Sequence, residues 1–285
     1  LMPGFYGMVP SNLKNKSKAH IIPQGTWGAF TRPDILDPMD PEFDRVAAIF
    51  YDETRRLYGS DIRFFSGDPF HEGGTSEGIN VKLAAQKILQ AMRKVNPQAV
   101  WVLQGWQHNP VKELMEGVKP GETIILDLMA CERPQWGGVK TSMFHKPEGH
   151  WNHQWIWCAL PNFGGKTGLH GKMSSYASGP VFAKHHPMGK NISGIGTAPE
   201  GIGTIPVVYD MVYDMAWRTD SIHIPQWLDN YTYYRYGTED NNCNKAWKLL
   251  SETIYECHNE LGGPVESYIL SLIHISEPTR RRGIS

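Results

Sequence analysis

The stretch "DIRFFSGDPFHEGGTSEGINVKLAAQKILQAMRKVNPQAVWVLQGW", residues 61–106, decides the fold. It opens on the apolar run Ile62–Phe65, too short for a helix and rich in strand-favouring side chains. A polar, glycine-rich segment from Ser66 to Gly78 follows, carrying Asp68, His71, Glu72 and Glu77. From Ile79 to Val95 the apolar residues Val81, Ala84, Ala85, Ile88, Met92 and Val95 recur at helical spacing. "AVWVLQGW" (99–106) then reads as a second strand. Strand, polar loop, amphipathic helix and strand make one βα unit of a parallel sheet.

The same rhythm extends in both directions. Strand-like runs occur at 2–10, 123–130, 154–160 and 191–201. A helix is expected over Pro41–Tyr58, with Phe43, Val46, Ala47, Phe50 and Leu57 on its apolar face, and another over 207–218. Each strand runs into a polar or glycine-rich segment, as where loops at the C-terminal mouth of a barrel carry chemistry. The expected fold is α/β: a partial (β/α)8 TIM-type barrel over residues 1–220, lacking its first strands. "WLDNYTYYRYG" and "KAWKLLSETIYEC" have helical spacing with no strand between, so the start of an all-α domain is expected at 221–269. Residues 270–285, with "SLIHISEPTRRRGIS", break this periodicity and read as a non-native tail resembling translated vector sequence.

Composition narrows the function. A net charge of −1 argues against a dedicated nucleic-acid binder, which needs a basic excess to neutralise phosphates. Ten tryptophans and twelve tyrosines suit a carbohydrate site, where aromatic faces stack on the C–H faces of sugar rings, although such rings also fill cores. Cys131, Cys158, Cys243 and Cys257 form neither a zinc framework nor a disulfide scaffold. No run of about 18 apolar residues is present to span a membrane.

Glu72 follows one predicted strand, and Glu200 in "GIGTAPEG" follows another, four strands later. Two carboxylates on matching strand ends can flank one small pocket, the arrangement glycoside hydrolysis requires. One protonates the leaving oxygen while the other attacks the anomeric carbon or activates water; a separation of about 5 to 5.5 Å implies retention of configuration. Asp68 is expected to bond to the backbone of the loop that carries Glu72, or simply to form a turn. Three look-alikes fail. His145, His150 and His153 lack the fixed spacing and companion carboxylate of a metal site. Leu160 stands where a phosphate-binding loop needs glycine, and Pro199 where a dinucleotide fingerprint does.

"FFSGDPFHEGG", "AVWVLQGWQ", "TIILDL", "WIWCALPNFGG" and "GIGTAPEGI", in this order, resemble the α-N-acetylglucosaminidase family of glycoside hydrolases over about residues 2–269. The resemblance implies that Glu72 is the general acid/base and Glu200 the nucleophile of a retaining, exo-acting enzyme. It implies sugar contacts from His71, Trp106, Leu128, Trp157, Asn162 and Phe163, with no cofactor and no metal. The implied partner is a glycan with a terminal α-linked N-acetylglucosamine, and the implied location of the full-length protein is secreted or periplasmic. His71 stands where animal members have Asn, a form similar to bacterial members. Family members also carry an N-terminal β-domain, further barrel strands and a longer helical domain, so the chain is expected to be an internal fragment of such an enzyme. The alternative from another class is a glycan-binding protein without turnover.

Overall fold

Regular structure forms where the apolar runs predicted it, and a computed structural model of the chain describes residues 1–137, 144–164, 168–200 and 205–257. They fall into two compact units, Leu1–Asp127 with Gln135–Ile156, and Leu128–Pro134 with Trp157–Ser285. The expected tail at 270–285 lies outside the described residues.

The first unit opens on β1 (Met2–Pro3), followed by the short strands β2 (Met8–Val9), β3 (Ile21–Ile22), β4 (Thr26–Trp27), β5 (Phe30–Thr31) and β6 (Asp34–Leu36). Helix α1 (Pro41–Tyr58) leads to β7 (Phe64–Ser66), and α2 (Val81–Val95) to β8 (Val100–Gly105). A short α3 (Lys112–Met115) precedes β9 (Thr123–Asp127), and the single turn α4 (Pro147–Trp151) precedes β10 (Gln154–Ala159), which begins in this unit. The sheet order is β1-β7-β8-β9-β10, with β1, β7, β8 and β9 pairing in parallel. The single strand expected over 2–10 divides instead. Only Met2–Pro3 joins this sheet, while β2 pairs antiparallel with β6, and β6 with β3. The hairpin β4–β5 lies between the run at 2–10 and α1, where no strand was expected.

Local chemistry explains the helix ends. Asp40 accepts from the Glu42 amide and Pro41 fills the first turn of α1, while Asn80 caps α2 through the Leu83 amide. Phe43, Ala47 and Tyr51 turn inward from α1, where Phe43 packs on Phe5 at 5.1 Å and Tyr51 edges Phe65 at 5.5 Å. Leu57, expected on that face, lies at the last turn and is exposed. Trp101 on β8 is fully buried and donates its indole N–H to Gly67 O at 2.8 Å, tying the end of β7 to its neighbour.

The second unit begins its strands with the latter half of β10 and continues through α5 (Met173–His185), β11 (Ile192–Thr197), α6 (Pro206–Asp214), α7 (Ile224–Tyr236) and α8 (Asn241–Glu252). β11 neighbours β10. The helices after Ile222 form as expected: Trp247 of α8 edges Tyr231 of α7, which itself stacks on Trp227 one turn earlier. Helix α5 was not legible, because Gly179 and Pro180 break a helical reading. Its glycine answers to packing: a Cβ there would sit 2.9 Å from the ring of Trp157, which is 1% exposed. Among the described residues no helix is long and apolar enough to cross a membrane.

Gly179→Ala therefore sets two effects against each other. Alanine gains up to about 1 kcal/mol of helix propensity, but overpacking against a buried indole costs typically about 1–3 kcal/mol. A net loss of stability is expected, measured as a lower urea midpoint with an unchanged denaturant slope.

Candidate active site

The loop after β7 carries the first carboxylate. Asp68 Oδ1 accepts from the Gln104 amide at 2.7 Å and from Asn109 Nδ2 at 2.9 Å. Asp68 thus holds the neighbouring loop after β8, where the sequence suggested a bond within its own. Beyond it Phe70 adopts a left-handed φ of 61°, Glu72 follows at φ 49° and ψ 48°, and Gly73 at φ 88°. A left-handed conformation costs a residue with a Cβ roughly 1–2 kcal/mol, so the loop persists only where its surroundings fix it. Trp106, in the loop after β8, donates its indole N–H to Glu72 Oε1 at 2.8 Å. His71 is half-buried, and its buried Nε2 has no hydrogen-bond partner among the described residues. Burial lowers its pKa, against the raising effect of Glu72, which favours the neutral ring.

Trp106 is itself held from behind. Trp106 and Asn109 exchange backbone hydrogen bonds around Gln107, whose φ is +48°. The buried Lys146 donates to Gln107 O at 2.8 Å and to Gln135 Oε1 at 2.5 Å. Burial lowers the Lys146 pKa to about 8, a shift opposed by Asp127. Asp127, at the end of β9, accepts from the Gln135 amide and from His150 Nε2, both at 3.1 Å. Burial holds the His150 pKa below its ordinary value despite that carboxylate, so a neutral imidazole donates to Asp127. His153 bonds Thr123 Oγ1 at 2.8 Å, and His145 is exposed. The three histidines therefore serve separate surroundings.

A cavity of about 430 Å³ lies over the ends of β1, β7 and β8, with Tyr6, Gln24, Arg32, Asp68, His71 and Gln104 in its wall. That volume falls within the range of small-molecule sites, about 300–1,000 Å³. Burial raises the Tyr6 pKa to about 12, with Asp68 adding to the shift. Burial also raises the Asp68 carboxyl to about 6, against its hydrogen bonds from Gln104 and Asn109. Part of Asp68 still faces the cavity. No local pattern marked Tyr6, Arg32, Asn109 or Lys146, each of which reaches this region from a distant part of the chain.

The second unit carries the other candidates. Leu128 follows β9 and is buried; Asn162 is fully buried after β10, and Phe163 is half-buried. The Gly164 amide donates to Glu200 Oε2 at 2.6 Å, and a Cβ on Gly164 would stand 3.3 Å from that oxygen. Glu200 itself is exposed, just past β11. Trp157, on β10, is buried and faces Gly179 of α5. Glu132 lies buried between His170 Nε2 and Lys172 Nζ, each at 3.6 Å, joining the segment after β9 to the one after β10 within this unit.

Each glutamate is thus held through one oxygen. The profile of the α-N-acetylglucosaminidase (NAGLU) TIM-barrel domain matches residues 1–219, and that of its C-terminal domain matches residues 227–273. The chain belongs to the α-N-acetylglucosaminidase family. It is 31% identical over 277 residues to the human α-N-acetylglucosaminidase, covering 91% of this chain and 36% of that protein. Among solved structures it resembles a family 89 glycoside hydrolase from Clostridium perfringens. One such structure, a variant with two glutamates changed to glutamine, holds its substrate GlcNAc-α-1,4-galactose; it matches at 31% identity with a TM-score of 0.83, over 93% of this chain and 30% of that one. A second holds PUGNAc, at 32% identity and a TM-score of 0.81, over 92% and 29% of the two chains. The chain thus spans about a third of the length of these α-N-acetylglucosaminidase relatives.

Asp68 makes a pH-dependent contribution. With its folded pKa raised to about 6 and an unfolded value near 3.9, its stabilising effect is complete below about pH 4. It is lost as pH rises through about 6. At about 1.36 kcal/mol per pH unit between the two values, the loss is at most about 3 kcal/mol, and solvent in the cavity reduces it. Asp68→Asn keeps an acceptor for Gln104 but cannot ionise. The stability of the variant relative to wild type is expected to rise between pH 4 and 7, measured by urea unfolding.

Proposed function

We propose that this chain carries the catalytic carboxylates of a retaining exo-glycoside hydrolase that releases terminal α-linked N-acetylglucosamine from glycans. The observation that carries this reading is the pair of anchored glutamates on strand-end loops. Trp106 fixes one oxygen of Glu72, and the Gly164 amide fixes one oxygen of Glu200. A related hydrolase holding its substrate with two glutamates changed to glutamine supports it.

In this mechanism Glu72 gives its proton to the departing glycosidic oxygen while the Glu200 carboxylate attacks the anomeric carbon. The bond to the aglycone breaks and a glycosyl–Glu200 ester forms. Glu72, now a carboxylate, takes a proton from water. As it loses that proton the water attacks the same carbon and breaks the ester bond, which frees Glu200 as a carboxylate and leaves Glu72 protonated again. With the Trp106 bond on Oε1 of Glu72, Oε2 is the oxygen that carries the travelling proton in this proposal. His71, Trp106, Leu128, Trp157, Asn162 and Phe163 are the proposed sugar contacts. The proposed partner is a glycan ending in N-acetylglucosamine, and the proposed location is secreted or periplasmic.

With an aryl α-N-acetylglucosaminide as substrate, Glu200→Gln is expected to bring turnover to background while leaving inhibitor binding measurable. Glu72→Ala is expected to lose about 10²–10⁴-fold with unactivated leaving groups and far less with activated ones. Proton NMR of the first-formed sugar should show the α anomer. A β anomer as first product refutes retention, and full activity of both variants refutes the two-carboxylate assignment.

A further inference from the structure

The segment between β2 and β6 reaches across the first unit to the loop that carries Glu72. Arg32 donates through Nη1 to His71 O at 2.9 Å and through Nη2 to Glu72 O, while its Nε donates to Thr26 O at 3.3 Å. Its own amide bonds Gly25 O, so the hairpin β4–β5 fixes the base of this side chain. Beside it the buried Gln24 pairs with Thr75 in the manner of a strand neighbour. Gln24 Oε1 accepts from the Thr75 amide at 3.0 Å, and Nε2 donates to Thr75 O at 3.1 Å. The acid/base loop is thus gripped at three successive points by a segment about forty residues earlier in the chain.

The grip falls on the residues that need it. A guanidinium fork meets two carbonyls only when they lie side by side. The left-handed φ and ψ of Glu72 place its carbonyl beside that of His71. Relaxing Glu72 to the right-handed region rotates the peptide after it, carries that carbonyl off the fork and swings Cβ, and with it the carboxyl, away from Trp106. Arg32 makes no ion pair among the described residues; two of its nitrogens serve the loop carbonyls and the third the hairpin at Thr26.

We propose that Arg32, supported by Gln24, is a positioning residue that keeps Glu72 left-handed and so aims its carboxyl at the glycosidic oxygen. This rests on Glu72 being the acid/base. A lysine cannot replace it, because a single ammonium has no planar fork for two carbonyls.

The test uses Arg32→Lys and Gln24→Ala in the whole chain, with Glu72→Ala in parallel. Hydrogen exchange of peptides spanning residues 70–78 is measured beside peptides from α2, and hydrolysis is measured on α-N-acetylglucosaminides of graded leaving-group acidity. Arg32→Lys is expected to speed exchange of the loop about tenfold with α2 unchanged. It should lower kcat about 10- to 50-fold for an alkyl leaving group and less than 3-fold for dinitrophenol, with KM nearly constant. Exchange like wild type in the loop overturns the proposal whatever the activity. Faster exchange with a leaving-group dependence like wild type also overturns it, since Arg32 then only stabilises the loop. Should Glu72→Ala show no leaving-group dependence, the acid/base assignment itself fails, and the exchange result separates that failure from failure of the grip.

Discussion

The hydrogen bond from the Trp106 indole to Glu72 exists only while the ends of β7 and β8 stay in register. Parallel pairing sets Phe65 against Trp101 and Ser66 against Val102. Trp101 then gives its indole proton to Gly67 O, and Asp68 takes the Gln104 amide, so two further bonds lock the loops where the sheet releases them. A slip of one residue would turn the buried side chains to the other face and break all three bonds. Behind this register stands the aromatic packing of Phe5, Phe43, Tyr51 and Phe65, which seats α1 against the sheet.

Around that register the first unit spends polar groups unusually. Lys146, Asp127, His150 and Gln135 are buried, and together they support the turn that presents Trp106. Buried polar groups are costly unless satisfied, and a satisfied network gives rigidity that an apolar filling does not specify. The left-handed run at Glu148 to Asn152 brings His150 onto Asp127, a second case in which backbone strain accompanies a buried hydrogen bond near the candidate site. In the second unit the Glu132–His170–Lys172 cluster plays a comparable structural part, joining segments on either side of Trp157.

The hydrophobic pattern is local, and so it was legible. Helix α1 runs over the expected residues, the sheet strands after it fall within the expected apolar runs, and α7 and α8 follow Ile222 without a strand. Helix α5 escaped because Gly179 and Pro180 carry the signals of a turn, and the helix survives through packing against Trp157. The strands β3 to β6 escaped because each holds two or three residues, too few for a period to show. Tertiary packing overrode local preference in both places.

The sequence by itself determined the βα rhythm, the motifs that mark the family, and the two glutamates at strand ends, because apolar spacing and side-chain identity are written residue by residue. Only the tertiary structure decided what holds Glu72. Asp68 reaches the next loop rather than its own, Lys146 supports Trp106, and Arg32 grips the carbonyls of His71 and Glu72. The ring of Trp157 meets Gly179, more than twenty residues on. The physical reason is common to these cases: a hydrogen bond or a ring contact between residues tens of positions apart depends on where the chain returns, and no local pattern records that return.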